Sequence, residues 1–136
     1  MKRLLTIAFL MSAMMSWAQT DVTSYIEDPD FDVQQRSAWK TNGFGRQTNN
    51  SFPLKHGEAY REIWSGGTAM NAYLYQDVAN LPVGTYTLTV TAQNIKQSDK
   101  DLVCTGAWIY ANDQKTNINK PGEYTVTCVV KDGNLR

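Results

Sequence analysis

From Thr85 to Ala92 the chain alternates without a break, with Tyr86, Leu88, Val90 and Ala92 apolar and Thr85, Thr87, Thr89 and Thr91 carrying hydroxyls. A period of two places the apolar groups on one side of an extended backbone and the hydroxyls on the other. This is the pattern of an antiparallel strand with one dry face. Immediately upstream, Leu81-Pro82-Val83-Gly84 has the type I turn signature, since proline presets φ at the second position and glycine suits the fourth. Residues 75–92 therefore read as strand, tight turn, strand. Tyr124 to Val130 alternates in the same way, and the Asp132-Gly133 pair after it is a two-residue hairpin signal that calls for a return strand. Leu135 and Arg136 would only begin one, so the domain is expected to be truncated at its C-terminus, a piece of a longer protein.

Shorter elements fill the remainder. Tyr25-Ile26 opens the ordered part. Asp28-Pro29-Asp30-Phe31-Asp32 reads as an edge strand or a turn beside one, because proline cannot donate to a central ladder. The long Gln-, Asn-, Gly- and Ser-rich stretch from Val33 to Ala59 is expected to hold short strands around Ala38-Trp39-Lys40 and near Phe52, and loops of that length are often functional. Tyr60 to Trp64 is a short strand ended by Gly66-Gly67, and Ala69 to Val78 a longer one. The polar run from Gln93 to Asp101 reads as a surface connection. Leu102 to Ala111 is a strand stopped by Asn112-Asp113, and Thr116-Asn117-Ile118 a short strand before Pro121-Gly122. Tyr, Trp, Thr and Val supply the apolar and β-forming content, and helix-forming runs are absent, so the chain is all-β.

Residues 1–18 have a basic start, a short apolar stretch and small residues before a break after Ala18, which is the form of a Sec signal peptide. The apolar stretch is shorter than the roughly 20 residues that a membrane span requires. No cysteine follows the cut to carry a lipid anchor. The expected organisation is a signal peptide at 1–18, a polar lead-in at 19–24 and one β-sandwich domain at 25–136, with a periplasmic, cell-surface or secreted destination. About 118 residues remain after the cut, enough for one core. The formal net charge of zero supplies no basic stripe for phosphates, which disfavours nucleic acid as a partner. Cys104 and Cys128, the two cysteines, each lie in an apparent strand. They either pair across a loop of about 25 residues, worth on the order of 3 kcal/mol, or act as two buried thiols.

Two stretches resemble carbohydrate-binding modules of the galactose-binding-like β-sandwich (jelly-roll) class, of the kind found at the N-terminus of secreted polysaccharide-degrading enzymes of Bacteroidetes. Ile26-Glu27-Asp28-Pro29-Asp30-Phe31-Asp32, with Trp39 and Gly43 downstream, is similar to the family's opening motif, although Asp28 stands for the usual Asn and Asp32 for the usual Glu. Tyr75-Gln76 through Tyr86-Thr87-Leu88 is similar to its "Tyr-Gln … Leu-Pro-x-Gly-x-Tyr-x-Leu" hairpin. The resemblance implies an antiparallel jelly roll, here apparently without its final strand. It also implies a non-catalytic role, binding a polysaccharide or other glycan for a glycoside hydrolase or similar catalytic domain missing from this chain. No cofactor is required, but members often hold a structural calcium near the opening strand. Asp28, Asp30 and Asp32 are either its ligands or solvated acids beside a turn.

Sugar recognition needs an aromatic ring against the apolar face of a pyranose and polar groups for its hydroxyls. The candidate platforms are Trp39, Phe44, Tyr60, Trp64, Tyr73 and Trp108. Of these Trp108, in an apolar strand, is assigned to the core, and Trp39 either binds or packs. Arg46 is the foremost polar candidate, with Asn42, Gln47, Asn49, Asn50 and Arg61 as further partners. Catalysis finds little support. His56 is the single histidine, no nucleophile elbow accompanies it, and Glu58 and Glu62 define no carboxylate pair. The rival reading is a spacer or protein-interaction sandwich without a sugar site. A small hydrolase acting through Glu62 is the remaining alternative.

Overall fold

The structure is a computed structural model that describes residues 19–33, 38–49, 54, 57–66, 68–96 and 98–136. The signal segment, Asn50, Phe52 and His56 lie outside them. Ten strands follow a single 3-10 turn at Thr23–Tyr25: β1 (Lys40–Asn42), β2 (Gly45–Gln47), β3 (Tyr60–Glu62), β4 (Tyr73–Tyr75), β5 (Gly84–Ala92), β6 (Ile95–Lys96), β7 (Asp99–Val103), β8 (Ala107–Ala111), β9 (Gln114–Ile118) and β10 (Gly122–Val130). Among the described residues they form five two-stranded sheets, all antiparallel, in the pairs β1–β4, β2–β3, β5–β10, β6–β7 and β8–β9.

The two strictly alternating segments pair with each other. β5 and β10 match residue for residue from Gly84↔Val130 to Ala92↔Gly122. Tyr86, Leu88 and Val90 share a side with Cys128, Val126 and Tyr124, and onto that side pack Ile109 and Ala111 of β8 and Ile118 of β9. Val130, in the last pair of this ladder, has no exposed surface. The outer side carries threonines, and Thr87 and Thr127 bond to each other through their hydroxyls at 2.9 Å. Thr116 Oγ1 also donates to the Thr125 carbonyl, at 2.6 Å, which ties β9 to β10.

This pairing corrects the hairpin expected over residues 75–92. β4 pairs with β1, not with β5. The two turn signals instead lie opposite one another across one ribbon. Beyond Gly84↔Val130 the Leu81 amide donates to the Gly133 carbonyl at 3.0 Å, and Val78 and Leu135 exchange both backbone bonds at 2.9 Å. Pro82 lacks a donor and Gly133 has φ +81°, so the ladder breaks on both strands at the same level and then resumes. The Asp132-Gly133 step is thus a kink rather than the end of a hairpin, and Leu135 returns to the core. Tyr86 anchors the kink by donating its hydroxyl to the Pro82 carbonyl at 2.8 Å.

Two further expectations change. The polar run after Gln93 forms the small β6–β7 hairpin, and the apolar stretch after Leu102 is interrupted at Gly106, φ +87°, before β8. Cys104 and Cys128 are both free thiols. Cys128 is buried on the inner side of β10, whereas Cys104 follows β7 in another sheet and is absent from that cluster. Burial pushes the Cys128 thiol above its ordinary pKa.

Asp77 joins the ribbon's far end to β1. Its carboxylate receives Lys40 Nζ at 2.7 Å and Arg136 Nε, and both cations lie over the Tyr75 ring, at 5.4 and 4.5 Å from its centre. The bonds from Arg136 and then Lys40 hold the carboxyl down at about 2. The folded value is the lower one, so the contribution of this cluster is complete above about pH 4, the unfolded value, and disappears as pH falls through about 2. Asp77→Asn should lower Tm at pH 7 in low salt, with the gap from wild type closing towards pH 2. Gly133→Ala should cost about 1–2 kcal/mol in urea unfolding, because the new Cβ forces a left-handed backbone and would lie 3.3 Å from the Leu81 carbonyl oxygen.

Candidate functional site

The β2–β3 pair separates the candidate residues onto two sides. Arg46 and Arg61 stand directly opposite each other, flanked by the pairs Gln47↔Tyr60 and Gly45↔Glu62. Directly opposed residues share a side and neighbours along a strand alternate. One side is therefore arginine, and the other carries Tyr60, Gln47 and Glu62.

The arginine side is occupied by the opening motif. Asp28 and Phe31 both have positive φ, 51° and 61°, and curl the 28–32 segment into a tight loop. Arg46 braces it, donating Nε to the Phe31 carbonyl and Nη2 to the Asp32 carbonyl, each at 2.9 Å. Arg61 places its guanidinium 5.7 Å from the centre of the Phe31 ring. Trp39 packs on the other flank, its ring centre 5.1 Å from that of Phe31, and donates its indole N–H to the Asp28 carbonyl at 2.9 Å. Gln76, buried, clamps the preceding segment by bonding both the amide and the carbonyl of Glu27, at 2.8 and 2.9 Å. Trp39 and Arg46 thus hold the scaffold together.

The three aspartates do not fit a shared calcium. Asp28 Oδ1 accepts the Val33 amide at 2.9 Å, Asp32 Oδ1 the Ala59 amide at 3.0 Å, and Asp30 Oδ1 the Asp32 amide at 3.5 Å. Calcium wants six to eight oxygens. The Phe31 and Asp32 carbonyls that could add to the carboxylates already face the Arg46 guanidinium, a cation supplied by the protein itself. Only Asp28 Oδ2 is left buried without a partner in this loop, and among the described residues no group of three or more His, Cys, Asp or Glu could hold a metal.

The opposite side of β2–β3 carries a phenol, an amide and a carboxylate. Tyr60 donates its hydroxyl to Asn49 Oδ1 at 2.8 Å, and Asn49 Nδ2 reaches Gln47 Oε1 at 3.4 Å. Burial, and then the negative charge of Glu62, raise the Tyr60 hydroxyl above its ordinary pKa, so it remains a donor at neutral pH. Two residues past Glu62, Trp64 is 73 % exposed, the most exposed large apolar side chain among the described residues. Phe44 is half-buried in the turn between β1 and β2, its backbone bonded to the Thr41 hydroxyl. That turn sits against Ile63, since a Cβ on Gly43 would lie 2.6 Å from Ile63 Cδ1.

Of the residues named from sequence, the structure therefore brings Tyr60, Gln47 and Asn49 together at one end of β2–β3, sets Trp64 and the Phe44 turn beyond the other end, and removes Trp39 and Arg46 to the brace. Trp108 corrects its core assignment: it is 44 % exposed, because the inward residues of β8 are Ile109 and Ala111. The signal was the same period of two within Ala107–Ala111, hidden because every residue of that run is apolar.

Arg46→Ala should destabilise the fold by about 1–3 kcal/mol, the cost of leaving two carbonyls unpartnered, read by urea unfolding. Millimolar calcium or a chelator should leave Tm unchanged. Comparison of the chain with protein-family models, with curated proteins and with solved structures finds no match.

Proposed function

We propose that this chain is an exported, non-catalytic carbohydrate-binding module of the galactose-binding-like jelly-roll class, holding a polysaccharide for an attached catalytic domain. The observation that carries the reading is the exposed Trp64 just past β3, with half-buried Tyr60, Gln47 and Glu62 sharing one side of the β2–β3 pair and Asn49 bonded to Tyr60. An indole left as exposed as Trp64 is available to stack on a pyranose, while amides and a carboxylate take its hydroxyls. Tethering such a module to an enzyme raises the enzyme's effective concentration at the polymer. The residues on the arginine side support the function by fixing the direction of β3. Export through the 1–18 segment belongs to the same proposal.

Affinity electrophoresis of the exported protein in gels containing plant, host and microbial polysaccharides tests it. At least one neutral or acidic polymer should retard the protein, and Trp64→Ala should weaken that binding about tenfold or more at unchanged Tm. Retardation by none of them would favour the spacer reading. Equal retardation of the variant and wild type would remove Trp64 from the site.

A further inference from the structure

β8 turns two large aromatic side chains away from the core: Trp108 is 44 % and Tyr110 51 % exposed. On β9, Asn117 stands opposite Trp108 and Lys115 opposite Tyr110. The outward side of this hairpin is therefore Trp108, Tyr110, Lys115 and Asn117, with no acidic and no aliphatic side chain among them. Two aromatic residues separated by one position on a strand are about 7 Å apart. The Lys115 ammonium lies 5.3 Å from the centre of the Trp108 ring, and among the described residues it forms no ion pair.

We propose that the outward face of the β8–β9 hairpin is a second binding platform, and that its ligand is an acidic, uronate-bearing polysaccharide. The Trp108 and Tyr110 rings present the flat apolar surface that sugar rings cover. The Asn117 amide both donates and accepts, as a sugar hydroxyl requires. Lys115 decides the charge of the ligand. Its flexible stem lets the ammonium leave the indole face for a carboxylate, exchanging a weak cation–π contact for an ion pair while freeing the ring for the sugar. Lys115 and Asn117, which fill half of this face, suit a hydroxyl- and carboxylate-bearing ligand better than the core of a protein interface, where lysine is depleted. The proposal shares only its ligand class with the carbohydrate-binding reading above and uses none of the same side chains.

The test is binding of the full-length protein to polygalacturonate and to alginate, each beside the same polymer with its carboxyl groups reduced to alcohols. Wild type should bind at least one acidic polymer more tightly than its reduced form, and the difference should shrink as salt screens the charge. Trp108→Ala should weaken that binding about tenfold or more. Lys115→Gln should bring acidic and reduced polymers to equal affinity, and it tests the charge even where the Trp108 variant loses its fold. Trp64→Ala should leave the preference for the acidic form intact. Binding unaffected by both Trp108→Ala and Lys115→Gln would overturn the proposal. So would a Trp64-dependent interaction with neutral polymers alone, which would leave the first site standing. A concentration-dependent dimer abolished by Trp108→Ala would also overturn it, assigning the face to a second copy of the chain.

Discussion

The structure depends on one ladder. β5 and β10 are paired along nine residues each, and their inner sides supply most of the side chains that β8 and β9 cover. A two-stranded ribbon alone is marginal in water. Here the ribbon is stabilised because Val126, Cys128 and Val130 are buried against Ile109, Ala111 and Leu81. Because the strand period is two, a one-residue slip would turn that whole apolar set outward and the threonines inward. The paired break at Pro82 and Gly133 then lets the ladder continue to Leu135 while changing course, so the far end reaches Asp77 and, through it, β1.

The second organising feature is the loop at 28–32, which curls through two residues at positive φ, Asp28 and Phe31, and turns its carbonyls towards side-chain donors. Arg46 supplies two, Trp39 one and the 59 amide a further contact to Asp32. Placing Arg46 opposite Arg61 would ordinarily be unfavourable. The carbonyls of Phe31 and Asp32 and the ring of Phe31 separate the duties of the two cations and offset that repulsion. This brace holds the arginine side of the β2–β3 pair, while half-buried Tyr60 and Glu62 share the opposite side with Gln47.

Much of the fold was legible where the pattern was strict. The alternations at 85–92 and 124–130 predict both long strands, and Asn112-Asp113 the β8–β9 turn. Pairing was not legible, because turn residues mark a change of backbone direction without saying whether the flanking segments meet. Leu81-Pro82-Val83-Gly84 and Asp132-Gly133 each looked like a hairpin and are two halves of one kink. At the candidate site, Tyr60 and its amide partners could be named as residue types, but Arg46 could not be separated from them, since a guanidinium serves a carbonyl or a sugar hydroxyl equally well. Trp108 was hidden by an apolar run in which small Ala residues, rather than the large ring, face inward.

In the proposed function the exposed Trp64 ring binds, while Trp39 is fixed in the scaffold by its bond to the Asp28 carbonyl. Nuclear magnetic resonance of the indole N–H protons during titration with a soluble oligosaccharide, cut from a polysaccharide whose retention of the protein depends on Trp64, tests it directly. The Trp64 indole and the amides of Tyr60 and Asn49 should shift, while the Trp39 indole, bonded to the Asp28 carbonyl, and the inner amides of β5 and β10 stay in place. A moving Trp39 indole with an unmoved Trp64 would contradict it.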